Sequence, residues 1–95
     1  MPDTTSPTRF SMGKLLATPG AMELGVGGVH LLHYLGRHLR GDWGDLGASD
    51  AAANDAALLH DDGRLFSAYE TPHGRLWIIT EADRSATTLL LPEEY

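Results

Sequence analysis

The sequence predicts an α+β domain, with two or three N-terminal helices packed on one face of a C-terminal three-stranded antiparallel meander. Three observations carry this. Leucines recur at helical spacing between Val29 and Arg40, and an alanine-rich stretch follows Ser49. From Leu65 onward, short runs rich in Trp, Ile and Thr alternate with turn residues. At 95 residues the chain is shorter than the usual domain of about 100–150, so residues 9–95 read as a single domain.

Met1 to Thr8 is rich in Pro, Ser and Thr and has no apolar core segment, so it is expected to be a disordered tail and not a signal peptide. Arg9 to Ala17 reads as a short edge strand or an extended lead-in. Thr18-Pro19 starts a helix, because Thr caps and Pro suits the first helical position. Gly25, Gly27 and Gly28 end it early. Val29 to Arg40 is the clearest helix: a wheel groups Leu31, Leu32, Leu35 and Leu39 in one stripe, sets His30, His33, Arg37 and Arg40 opposite, and leaves His38 at the border. Gly41 stops it. After the loop at Gly41 to Asp45, Ser49 or Asp50 caps a helix running to about His60, with Ala52, Ala56 and Leu59 on a shared face. Trp43 is expected to latch the seam between these two helices. The strands are Leu65–Glu70, Leu76–Glu81 and Ala86–Leu91, joined by Thr71-Pro72-His73-Gly74 and Ala82-Asp83-Arg84-Ser85.

Tight hairpins pair Glu70 with Arg75 and Arg64 with Glu81, placing opposite charges together at both ends of the first hairpin. Strand alternation then sends Leu65, Ser67, Tyr69, Leu76, Ile78, Thr80, Thr87, Leu89 and Leu91 towards the helices. Phe66, Ala68, Trp77, Ile79, Thr88 and Leu90 face the other way, with no helix to cover them. An apolar centre with a charged rim is the anatomy of an interface, so Phe66, Trp77, Ile79, Leu90 and Arg84 are the candidate partner-binding residues. Arg84, at a hairpin tip, has no evident structural duty.

Composition excludes several classes. There is no cysteine, which removes thiolate zinc sites and thiol chemistry and fits a reducing, cytoplasmic setting. No apolar run approaches the roughly 18 residues of a membrane span. The formal charge is −6, with six aspartates and no Lys or Arg between Gly41 and Asp62. This argues against a nucleic-acid partner and fits a solvated face or a basic partner. His30 and His33 lie one helical turn apart but lack a third ligand at recognisable spacing, so no metal and no cofactor are expected. His38 is a structural histidine or a general base oriented by Asp42. Ser67 has no base at motif spacing, and the glycines at 25–28 lack the strand and lysine of a phosphate loop.

Several stretches taken together resemble a known family: Arg37-His38-Leu39-Arg40-Gly41-Asp42-Trp43-Gly44, Ala53-Asn54-Asp55, Arg64-Leu65-Phe66-Ser67-Ala68-Tyr69, Trp77 to Ser85, and the final Leu90-Leu91-Pro92-Glu93-Glu94-Tyr95. This family consists of small bacterial proteins carried on plasmids and other mobile elements, labelled plasmid-related protein or type I restriction endonuclease subunit M. The resemblance implies a setting, not an activity. The methyltransferase label fails on physical grounds, because the chain is too short for a cofactor-binding α/β domain and lacks its glycine-rich strand–helix turn. The helices, the meander, Arg64 and Thr80-Glu81-Ala82-Asp83-Arg84 are also similar to the barnase/RelE-like ribonucleases. That resemblance would make His38, Arg64 and Arg84 catalytic, although Arg84 stands where the barnase branch has a histidine acid, and arginine does not give up its proton.

The expected function is a non-enzymatic interaction protein of a mobile genetic element. It would bind a host defence or regulatory protein, or a second copy of itself, through the sheet face around Trp77. The alternatives are a metal-independent ribonuclease toxin and, on the strength of the six aspartates, an acidic nucleic-acid mimic.

Overall fold

Cross-strand charge pairs set the register of the C-terminal hairpin. The computed structural model describes residues 8–95, and in it β2 (Leu65–Thr71) and β3 (Gly74–Thr80) pair antiparallel with Glu70 opposite Arg75. Arg75 Nε lies 2.6 Å from Glu70 Oε2, and Arg64 Nε lies 3.6 Å from Glu81 Oε1 at the far end. The connection is tighter than the four-residue loop expected. Thr71 pairs with Gly74, and Pro72-His73 alone makes the turn. Gly74 takes φ +128°, which an L side chain rarely adopts. β4 (Ala86–Leu90) follows antiparallel to β3, with Thr80 opposite Thr87.

The sheet has a fourth strand, which corrects the expected three-stranded meander. β1 (Lys14–Ala17) pairs parallel with β4, so the order is β1-β4-β3-β2 and the sheet is mixed. This is the Arg9–Ala17 segment read as an edge strand or lead-in. Its alternation is too short to reveal a parallel partner some seventy residues away in sequence. The expected tail over residues 1–8 lies, apart from exposed Thr8, outside the described residues.

Three helices accompany the sheet. α1 (Pro19–Val26) starts where Thr18 and Pro19 predict, with Thr18 Oγ1 accepting from Ala21 N at 3.2 Å. The Glu94 carboxylate reinforces that start by accepting from Thr18 Oγ1 and from Gly20 N at 2.9 Å. α2 (Leu31–Leu39) begins later than expected, because Val29 and His30 are not helical. Its inward face comprises Leu31, Tyr34, Leu35, His38 and Leu39, while Leu32 is 66% exposed. Leu31, Leu35 and Leu39 of the expected stripe face inward and Leu32 does not; Tyr34 and His38 complete the buried face instead.

α3 (Ala48–Leu59) also turns a different face inward. Ala52, Ala56 and Leu59 are exposed, and Asn54 is buried. Asn54 Nδ2 donates to Phe66 O at 2.6 Å and its Oδ1 accepts from Phe66 N at 3.1 Å. The amide thus stands in for one residue of a neighbouring strand along the outer edge of β2. Trp43 to Asp45 continue that cover: Ala68 N donates to Trp43 O and Asp45 N donates to Ala68 O at 2.7 Å. Gly44 allows this approach, since a Cβ there would clash with Ala68 O.

The main core lies between the sheet and α1–α2, built from Ala21, Leu24, Val29, Leu35, Tyr69, Leu76, Ile78 and Leu89. Among the described residues no helix is long and apolar enough to cross a membrane.

Candidate interaction surface

The sheet face turned away from α1 and α2 carries the residues that alternation assigns to it. Ile79 and Leu90 are each only 6% exposed and Ala68 is 3% exposed, so they form a floor and not a surface. What covers them is an aromatic layer. Trp77 stands opposite Ala68 and Leu90, meets Phe66 edge-to-face at 4.9 Å between ring centroids, and meets Tyr95 at 5.8 Å. Leu91 and Pro92 turn the chain into a short 3₁₀ segment, Pro92–Glu94, that delivers Tyr95 to this position. The Arg64 guanidinium lies 5.7 Å from the centre of the Tyr95 ring and donates to its hydroxyl at 3.0 Å. The hydrogen bond to Tyr95 favours the charged guanidinium and raises its pKa, against the opposing effect of burial.

Arg64, Phe66, Trp77, Ile79 and Tyr95 enclose a groove of about 250 Å³. Phe66 and Trp77 are half-buried and Tyr95 is 70% exposed, so the groove opens to solvent. The Trp77 indole N–H is buried with no hydrogen-bond partner among the described residues. Sequence alternation finds Phe66, Trp77 and Ile79. It misses Tyr95, because nothing in Pro92-Glu93-Glu94-Tyr95 says that the chain folds back over β3.

Arg84 is not on this surface. Its side chain is only 9% exposed, and its guanidinium donates to four backbone carbonyls: Gly63 at 2.7 Å, Ala82 at 3.1 Å, and Glu81 and Ala57 at 3.2 Å. Residue 84 itself takes φ +61°. The expectation that Arg84 lacks a structural duty is therefore wrong, since the side chain ties the β3–β4 turn to the end of α3. Its role is invisible in sequence because all four acceptors are main chain.

His38 has no exposed surface and lies on the helical side of the sheet. Four contacts form a directional chain. Thr87 Oγ1 donates to Met12 O at 2.8 Å and accepts from Thr80 Oγ1 at 2.7 Å. Having given its proton to Thr87, Thr80 accepts from His38 Nε2 at 2.9 Å. Nδ1 is then the acceptor, and Ser67 Oγ donates to it. The ring is therefore the neutral Nε2–H tautomer, and burial lowers its pKa to about 4. Ser67 thus has an imidazole beside it from 29 residues away, not at motif spacing, and both residues are sealed from solvent. Asp42 does not orient His38. It pairs with Arg37 at 2.7 Å, which holds its carboxyl below the usual range.

The three residues of the ribonuclease reading do not converge. Arg64 lies against Tyr95 and Glu81, Arg84 binds main chain, and His38 is enclosed on the opposite face of the sheet. Four of the six aspartates also have partners within the chain: Asp42 binds Arg37, Asp45 accepts from Glu70 N, Asp55 accepts from the Trp43 indole N–H at 3.0 Å, and Asp61 lies 3.9 Å from Arg84 Nε. Trp43 is 7% exposed, edge-on to His38 of α2 and bonded to α3 through Asp55, so it occupies the expected seam. Among the described residues no three His, Asp or Glu side chains gather closely enough to hold a metal ion.

No protein-family model, no curated protein and no solved structure matches the chain.

Proposed function

We propose that this protein is a non-enzymatic binding module that takes an apolar side chain of a protein partner into the groove of Phe66, Trp77, Ile79 and Tyr95. The observation that carries the reading is the groove itself. Three aromatic rings stand over an apolar floor, with a charged pair, Arg64 and Glu81, at the rim. Interfaces concentrate their energy in such aromatic anchors. The formal charge of −6 favours a basic partner and speeds its encounter. A mobile-element setting, with a host defence or regulatory protein as partner, follows from the resemblance of the final motif.

The test is affinity capture from a bacterial lysate with wild-type and Trp77→Glu protein, followed by reconstitution with the purified partner. Binding that Trp77→Glu and Tyr95→Ala each weaken at least tenfold, with melting temperature preserved, supports the reading. A partner bound equally by all three proteins removes it. RNA cleavage by purified protein that Arg84→Lys abolishes without unfolding the chain replaces it with the ribonuclease reading.

A further inference from the structure

The two edges of the sheet are treated very differently. The outer edge of β2 is paired along its length by Asn54 and residues 43–45. At the other edge, all four residues of β1 are exposed, with Leu15 at 40% and Leu16 at 44%. Lys14 N and Thr18 N donate to Ser85 O and Leu89 O of the β4 side. Strand alternation therefore turns the N–H and C=O of both Leu15 and Ala17 outward. Among the described residues nothing pairs with those four groups.

We propose that β1 pairs antiparallel with β1 of a second copy of this chain, about a two-fold axis through Leu16. The geometry is self-complementary. Centred on Leu16, the pairing sets Leu15 opposite Ala17 of the second copy, and the outward groups of these residues form four ladder hydrogen bonds. The two Leu16 side chains meet on the axis, on the groove side of the sheet. Lys14 then falls opposite Thr18 of the second copy. The Thr18 hydroxyl binds the Glu94 carboxylate, so the chain's single lysine arrives beside a glutamate, twice by symmetry. A short edge strand carrying a lysine is also a device against edge pairing. Here the lysine stands at the strand's end on the solvent face, and the two-fold supplies its counter-charge.

The interface is small, because a four-residue edge buries less than the roughly 1,200 Å² of a stable standard interface. The expected dimer is therefore weak and reversible. This inference does not rest on the groove reading. It adds that both grooves lie on one face of a continuous eight-stranded sheet.

The experiment exploits the absence of cysteine. In Leu16→Cys the two thiols face each other across the axis with Cα atoms about 4.5 Å apart, within disulfide reach. In Lys14→Cys they are roughly 14 Å apart. Mild oxidation should trap a covalent dimer of the first and not of the second. Leu15→Pro removes an outward donor and no bond within the fold, so it should keep the melting temperature yet abolish both trapping and the dimer seen by sedimentation. If Leu15→Pro does not fold, Leu16→Lys, which sets like charges on the axis of a half-exposed position, should abolish the sedimenting dimer instead. Wild-type protein that sediments as a monomer at its highest attainable concentration overturns the proposal. So does equal trapping at Lys14→Cys, or a folded Leu15→Pro that still dimerises.

Discussion

Replacing His38 by glutamine should change how the stability of this protein depends on pH, because the ring is buried neutral with its pKa lowered to about 4. In the unfolded chain an imidazole titrates near its ordinary value of about 6.5. Between these two values the unfolded chain binds a proton that the folded chain does not. Stability is therefore complete above about pH 6.5 and falls as pH drops through the window. One proton corresponds to about 1.4 kcal/mol per pH unit, so about 2 kcal/mol is lost by pH 5 and about 3 kcal/mol over the whole window. That is a large share of the roughly 5–15 kcal/mol of a typical domain. Among the described residues no ionised side chain hydrogen-bonds the ring to offset the loss: it bonds Ser67 and Thr80 and packs edge-on to Phe10 and Trp43. Urea unfolding at about pH 7.5 and about pH 5 measures it. Wild-type stability should fall by about 2 kcal/mol, while His38→Gln, less stable at neutral pH, should change far less. Equal wild-type stability at the two pH values, or the same slope in the variant, would refute the assignment of a neutral buried ring.

Trp43→Ala should cost about 3–5 kcal/mol in urea unfolding, and Trp43→Phe less, since it loses mainly the bond to Asp55. Asn54→Ala leaves the Phe66 N–H and C=O without their partner and should cost about 2 kcal/mol, with faster amide exchange at Phe66. Arg84→Met removes the side-chain donor from four carbonyls, leaving Gly63 O and Ala82 O without one while Glu81 O and Ala57 O keep backbone N–H donors, and should lower the melting temperature clearly, which distinguishes a structural tie from a rim contact. Gly44→Ala should destabilise through both the clash with Ala68 O and the φ of +76°, and circular dichroism melts would detect it.

Period-two alternation and charge pairing made the hairpin legible, and with it the division of side chains between the two faces. The errors over which helix residues are buried have one physical source. Hydropathy ranks residues by what they are, whereas His38 and Asn54 are buried for what they bond. Leu32 looked like core and His38 like its border, yet the Ser67–His38–Thr80–Thr87 chain makes the imidazole an acceptable core residue. Asn54 sits in an alanine-rich helix and is its one buried residue, while Ala52, Ala53 and Ala56 face solvent, because the helix lies against a strand edge that needs an amide. Of the candidate site, the floor and two walls were readable. Tyr95 was not, since its placement depends on the chain turning back at Pro92. The parallel β1–β4 pairing was unreadable because long-range parallel contacts leave no local sequence signal.

That pairing also determines the order in which the domain can be completed. The first strand made has its partner in the last strand made, and the first helix receives its terminal carboxylate from Glu94. During synthesis the N-terminal third therefore emerges without the contacts that secure it, while the β2–β3 hairpin can close locally. Contacts of such high sequence separation slow folding, because loop closure must precede their reward. Until β4 forms, the Leu15–Leu16 segment has no partner strand, and a nascent or truncated chain exposes both sides of a strand that the finished domain exposes on one.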